Sequence, residues 1–345
     1  MKEKLVVGFL AILFIASIVV AVMSTLRAPD HEAGSGLPLF IGPKGYGVVH
    51  LYGQIAASQE SGLGSRRGAD SVADRLRMMG ENPQVKAVVL RINSPGGSVA
   101  ASQELYEEVL RLKRKDIPVV ASVSDLGASG GYYVSCGATK ILANPGSLVG
   151  SIGVISIFPN IDGLLQGKLG IKTKVLTSGE MKDAGSPLRE MKPNEEEFFK
   201  KEIAKVYDQF FTAVKVSRLG AIKQKMRDPS DVAEPPITDE QAIEKLRTLA
   251  DGRIFLGEEA KNEGLIDGIG NFHDAVQEAR KLARLPDDAP EITQPFGLED
   301  LLDLVSNPLI ASRKGDGLTE TAAQALKDMT SVRMEYLYLP GGLLK

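Results

Sequence analysis

The stretch VKAVVLRINSPGGSVAASQELYEEVLRLKRKDIPVVASVSD, residues 85–125, decides the fold. VKAVVLRIN (85–93) is a nearly unbroken apolar run, the pattern of a strand buried on both faces. SVAASQELYEEVLRLKRK (98–115) places Val99, Leu105 or Tyr106, Val109 and Leu112 along one helical face. PVVASVSD (118–125) is a second strand. The same alternation continues outward. Upstream, GVVHLYG (47–53) has β-branched strand content, and ADSVADRLRMMGE (69–81) has helical spacing at Val72, Leu76 and Met79. Downstream the pattern predicts a helix after Ser129, a short strand in KILAN (140–144), a strand in GSIGVISIF (150–158) and another in KTKVLT (172–177). Strands alternating with helices predict an α/β fold with a largely parallel sheet. Residues 194–220 form one long helix, acidic at its start, apolar at Phe198, Phe199, Ile203, Val206, Phe210 and Val214, and closed by Gly220. A charged segment, 221–250, leads to two short helices around a glycine-punctuated turn. From Pro286 the composition loosens, LEDLLDLV (298–305) being the only later helix expected, and no internal repeat is visible.

The chain has 345 residues, 43% of them hydrophobic and 25% charged, enough for a sizeable core. A formal net charge of -3 without long single-sign runs gives no nucleic-acid surface, so no nucleic acid is expected as a partner. Cys136 is the sole cysteine, and His31, His50 and His273 lie far apart in no metal-ligand spacing, so neither an intrachain disulfide nor a metal is expected. LVVGFLAILFIASIVVAVM (5–23) carries no charge and is about the length needed to cross a bilayer. It is too long for the apolar core of a typical cleaved signal, and Lys2 and Lys4 precede it. The expected organisation is a short cytoplasmic N-terminus (1–4), a single-pass membrane anchor (5–23), a Gly/Pro-rich tether (24–44), a folded domain (45–285) placed outside the cytoplasm, and a C-terminal segment (286–345) without an assigned role.

Three pieces could carry chemistry. In DLGASGGYYVSCGA (125–138), Ser129 sits among small residues at the start of a helix. A serine hydroxyl attacks a carbonyl only when a base takes its proton and N–H donors hold the oxyanion. The Gly130 N–H could be one donor, although Ser129 taken alone also fits an ordinary helix N-cap. RINSPGGSVAAS (91–102) runs from a strand through two glycines into a helix. It could hold an anion or be only a tight turn, and it lacks the lysine and spacing of nucleotide loops. No histidine lies in a loop of small residues, whereas LTSGEMKDAGSPLREM (176–191) places Lys182 between Ser178, Gly179, Gly185 and Ser186. A lysine serves as a base only if burial or a positive neighbour lowers its pKa from about 10.4. Most loop lysines are simply solvated.

Together SPGGS, ASGGYY, GSIGV, SGEMKDAGSPLRE and DGRIFLGEEAKNEGLID, in that order over about Gly45 to Leu285, resemble the half-length form of the signal peptide peptidase A family, within the Clp protease and crotonase superfamily. The resemblance implies a repeated ββα spiral domain and a membrane-bound serine peptidase without cofactor. Ser129 would be the nucleophile, Lys182 the general base, Gly96 and Gly130 the oxyanion donors, and Ser151 a residue orienting the lysine. It further implies a ring-shaped homo-oligomer, an octamer, in which serine and lysine come from neighbouring subunits. The expected substrates are apolar peptides such as remnant signal peptides. The alternatives are a crotonase-type acyl-CoA enzyme, which would need an acidic catalytic residue, and a membrane-tethered scaffold ring with a silent dyad.

Overall fold

The structure is a computed structural model describing residues 43–57, 59–60, 66–227, 236–293 and 334–337. The anchor 5–23, the tether up to residue 42 and the helix expected at 298–305 lie outside the described residues. No helix among the described residues is long and apolar enough to cross a membrane.

In chain order the strands are β1 (Gly45–Tyr52), β2 (Gln59–Glu60), β3 (Arg66–Arg67), β4 (Val85–Ser94), β5 (Gly96–Ser98), β6 (Val119–Ala128), β7 (Lys140–Ala143), β8 (Leu148–Gly150), β9 (Ile155–Ser156), β10 (Ile254–Leu256), β11 (Gly268–Ile269) and β12 (Met334–Leu337). The helices are α1 (Ala69–Glu81), α2 (Val99–Arg114), α3 (Gly130–Ser135), α4 (Asp162–Gly167), α5 (Pro193–Met226), α6 (Asp239–Leu249), α7 (Gly257–Asn262) and α8 (Phe272–Leu282). The main sheet runs β1-β4-β6-β7-β11, every pairing parallel. β6 is long enough to pair twice. Residues 120–123 lie along β7, and 126–128 lie along β8, which carries β10 antiparallel on its other side.

β4 explains the stretch that opened the sequence. Val88, Leu90 and Ile92 point into the main core with Leu76 of α1 and Leu105 and Val109 of α2. Ala87 and Val89 point the other way, with Val120, onto Ala275, Val276 and Ala279 of α8. A strand covered on both faces has no position for a solvated side chain, so its sequence is continuous rather than alternating.

Three expectations differ from the observed fold. GSIGVISIF is not one strand: β8 ends at Gly150, Ser151 turns the chain, and Ile155–Ser156 pair in a different sheet. KTKVLT forms no strand, and Val175 and Leu176 are 49% and 84% exposed. A strand needs a neighbouring backbone, and this segment pairs with none among the described residues. Gly220 does not close the long helix, which continues to Met226. An interior glycine costs about 1 kcal/mol, less than the burial of Phe210, Phe211, Val214 and Ile222 on the same helix recovers. The packed unit also extends beyond residue 285. Tyr46 N–H donates to Pro290 O at 3.2 Å and Ile292 N–H donates to Tyr46 O at 2.7 Å, adding the chain after α8 to the edge of β1.

α5 is fastened to the sheet by a buried cation. Arg218, 4% exposed, donates from Nε to Gly264 O at 3.1 Å and from Nη1 to Asp267 Oδ2 at 2.9 Å. The same carboxylate oxygen accepts the Ile141 N–H of β7 at 2.7 Å. Gly264, at φ 78°, permits this approach, since a Cβ there would lie 2.8 Å from the Ile222 nitrogen. Arg218→Met is therefore expected to destabilise the fold by about 3 kcal/mol, because Gly264 O loses its donor and Asp267 is left with only the longer contact to Lys140 at 3.6 Å as cationic partner. The check is urea denaturation, where the midpoint should fall with the slope unchanged.

Candidate active site

Ser129 stands where β6 ends and α3 begins, and it is 1% exposed. Its backbone has φ 51° and ψ -117°, a conformation that L residues rarely adopt. The surroundings enforce it: Ser129 N–H donates to Gly150 O at 2.8 Å, and Ser129 O accepts from Tyr133 N–H at 2.8 Å. Strain of this kind costs about 1–3 kcal/mol and gathers at functional sites. The two tyrosines that follow lock the helix. Tyr132, fully buried, donates to Leu265 O at 2.6 Å, while the Tyr133 ring packs against Tyr106 and Phe210 with centroids 4.9 and 5.1 Å away.

The glycine loop of residues 94–98 lies against this turn. A Cβ on Gly131 would come within 2.9 Å of Ser94 O, so only glycine lets the turn and the end of β4 approach so closely. Gly97, at φ 151°, packs on Ile55, with Ile55 N–H donating to Gly96 O at 2.7 Å and Ser98 N–H donating to Ile55 O at 2.7 Å. The Gly96 N–H, expected as an oxyanion donor, is engaged by the buried Ser94 hydroxyl at 3.1 Å. The Gly130 N–H is in the first turn of α3, which leaves such groups without helical partners.

Ser151 follows directly on Gly150, the residue that holds the Ser129 N–H. It too is buried with positive φ, 51°, and its N–H donates to Arg253 O at 2.8 Å. The fold thus brings Ser129, Gly130, Gly96 and Ser151 to neighbouring strand ends. Lys182 is different. It lies in an exposed turn, its N–H donating to Gly179 O at 3.1 Å, and no hydrogen bond joins its side chain to Ser129. Other nucleophiles and bases are poorly placed. Burial pushes the Cys136 thiol up to about 12, leaving it protonated at neutral pH. His50, on β1, shares a 3.1 Å hydrogen bond with the Tyr52 hydroxyl.

Sequence reasoning missed three participants. Ser94 and Ile55 gave no local signal, because only the packing of the loop shows that they hold it. The third is β12, whose backbone runs antiparallel to β5 on one side, Tyr336 opposite Gly97, and to β9 on the other, Glu335 opposite Ile155. It reaches within 8 Å, Cα to Cα, of α3. By sequence, residues 286–345 have no assigned role, and nothing in that segment names the strands it joins.

A family model described as Peptidase family S49 matches residues 111–228 and 238–286, a span that includes Ser129, Ser151 and Lys182. A Synechocystis sp. protein described as a "putative protease" is 36% identical over 249 residues, 71% of this chain and 78% of that protein. A "putative signal peptide peptidase SppA" of Enterococcus faecium is 36% identical over 243 residues, 69% of this chain and 64% of its own. Protease 4 of Salmonella typhi is 33% identical over 238 residues, 69% of this chain but only 34% of its own length. With a family model spanning the strained serine and relatives of this identity covering most of the chain, the chain belongs to peptidase family S49 and is a serine peptidase of the signal peptide peptidase A type.

Proposed function

We propose that the chain is a membrane-anchored endopeptidase that cleaves apolar peptides, with Ser129 as nucleophile and Lys182 as general base. The observation that carries this reading is β12. An extended backbone lies antiparallel along Gly96–Ser98, beside the turn of Ser129, in the manner by which a peptide is held by strand addition. Main-chain pairing there fixes a scissile carbonyl without regard to side chains. In the proposed sequence neutral Lys182 accepts the Ser129 proton, and the hydroxyl oxygen bonds to the peptide carbonyl carbon. The oxyanion is received by the N–H groups of Gly130 and Gly96, the latter exchanging its bond to Ser94. Lys182 then protonates the leaving amine, and water deprotonated by the same lysine releases the acyl group. Ser151 orients the lysine. The relatives, described as proteases and a signal peptide peptidase, favour peptide substrates over acyl-CoA thioesters.

The exposure of Lys182 supports a shared site. Eight large apolar side chains between Ile157 and Phe198 are at least 41% exposed, among them Leu176 at 84% and Met181 beside Lys182. Apolar surface concentrated in this way marks an interaction face. A second copy seated there in a ring would shield Lys182 from water and bring it to a neighbour's Ser129. Mixing Ser129→Ala with Lys182→Ala chains during reassembly tests this. Neither alone should cleave an apolar signal-sequence peptide, whereas the mixture should recover about a quarter of parental activity, the share of interfaces where two intact residues meet by chance. A mixture as inactive as its components would place each site within one chain.

A further inference from the structure

We infer that Arg189 is a positioning residue for Lys182, acting through Asp183 and tied to the buried carboxylate at the start of α5. The inference rests on the reading of Lys182 as the base. Between Ile171 and Lys192 the chain forms neither helix nor strand, so no backbone ladder holds Lys182. Its turn is closed locally, by Lys182 N–H to Gly179 O at 3.1 Å and Ser186 N–H to Asp183 O at 3.0 Å, and side-chain contacts tie that turn to α5. Arg189 donates from Nε and Nη2 to the two Asp183 carboxylate oxygens at 2.8 and 2.9 Å, and from Nη2 to the Asp183 carbonyl at 3.1 Å. It donates from Nη1 and Nη2 to Glu195 at 2.9 and 2.6 Å, and from Nη1 to Glu190 O at 2.9 Å.

Glu195 is fully buried and accepts the Lys192 N–H at 3.1 Å, so it is fixed to the first turn of α5. That helix is anchored in the core through Phe210, Val214 and Ile222. The mechanical path therefore runs from core to helix, to Glu195, to Arg189, to Asp183, and to the residue beside it in the chain, Lys182. The paired guanidinium holds the carboxyls of both Asp183 and Glu195 below the usual carboxylate range, so the clamp stays charged through neutral pH. An isolated surface ion pair would hold little. Here a planar guanidinium bridges two carboxylates, one of them without solvent contact, which fixes direction as well as distance.

The test uses the full chain and an apolar signal-sequence peptide, with competent sites titrated by a fluorophosphonate. Asp183→Ala and Arg189→Gln are expected to lower kcat per titrated site by about 10- to 100-fold, the cost of a displaced catalytic group, with KM changed less than about twofold. Arg189→Lys should recover part of the loss by keeping one charged contact. Asp183→Ala leaves the Arg189–Glu195 pair in place, so it decides the matter even if Arg189→Gln fails to fold. If both variants keep kcat within about twofold of the parent while Lys182→Ala is silent, the clamp has no positioning role and the base assignment stands. Fewer titratable sites with unchanged kcat per site would likewise reduce Arg189 to a structural part. Activity in Lys182→Ala would overturn the base assignment and this inference with it.

Discussion

Ser129→Ala is expected to lower kcat for peptide hydrolysis by at least about 10⁴-fold, the scale on which serine peptidases lose activity when the nucleophile is removed. The residue is 1% exposed, yet its hydroxyl anchors no hydrogen bond that the fold requires. The interactions that hold the turn use its backbone, from N–H to Gly150 O and from its carbonyl to Tyr133 N–H. Alanine retains both and carries the same Cβ into the same strained conformation, so the thermal midpoint should be nearly that of the parent. Loss of activity with retained folding therefore isolates chemistry from structure. Hydrolysis above about 1% of parental kcat, far over the residual left by an oxyanion hole alone, would mean that another residue attacks the peptide.

The second large effect is expected at Gly97. A Cβ there would lie 2.1 Å from Ile55 O and 2.8 Å from both Ile55 C and N. Those atoms are backbone, held by hydrogen bonds to Gly96 and Ser98, and no rotamer can relieve the contact. φ at 151° adds to the cost of any side chain. In Gly97→Ala, β5 must separate from Ile55. The Gly96 N–H and the backbone edge along which β12 now lies move with it. kcat/KM is expected to fall at least about 100-fold, since removing one oxyanion donor alone costs that much, and stability by about 2–4 kcal/mol. Gly146→Ala serves as the control. No atom lies within 4 Å of its added Cβ, and its effect should be within about 0.5 kcal/mol. Parental kcat/KM in Gly97→Ala would remove the loop from the catalytic machinery.

Much of the fold was legible because its central strands and helices follow local rules. α1 spans the same residues, 69–81, that its spacing predicts, and β4 and α2 fall within a residue of 85–93 and 98–115. The two helices each bury one face set by the 3.6-residue period, while β4, covered on both faces, reads as a continuous apolar run. Where burial depended on distant partners, the local pattern misled. KTKVLT has strand composition but pairs with no strand among the described residues, and GSIGVISIF splits because Ile155–Ser156 pair with Met334–Glu335, far along the chain. Gly220 read as a stop, but side chains on either side of it are drawn into one core and the helix continues through it.

The candidate site divides along the same line. Sequence by itself determined the chemistry available: one small-residue turn with a bare serine, one double-glycine loop, one lysine flanked by serines and glycines, and no competing cysteine or histidine arrangement. These are properties of residue type and neighbour, which the chain carries locally. Only the tertiary structure decided that Ser129 is held at φ 51° by Gly150, that Ser94 and Ile55 clasp the glycine loop, that the C-terminal strand lies along it, and that Arg189 joins the Lys182 loop to a buried glutamate. Each of those depends on atoms brought together from separate elements. A contact made across the fold is set by packing and geometry, and no short window of sequence contains it.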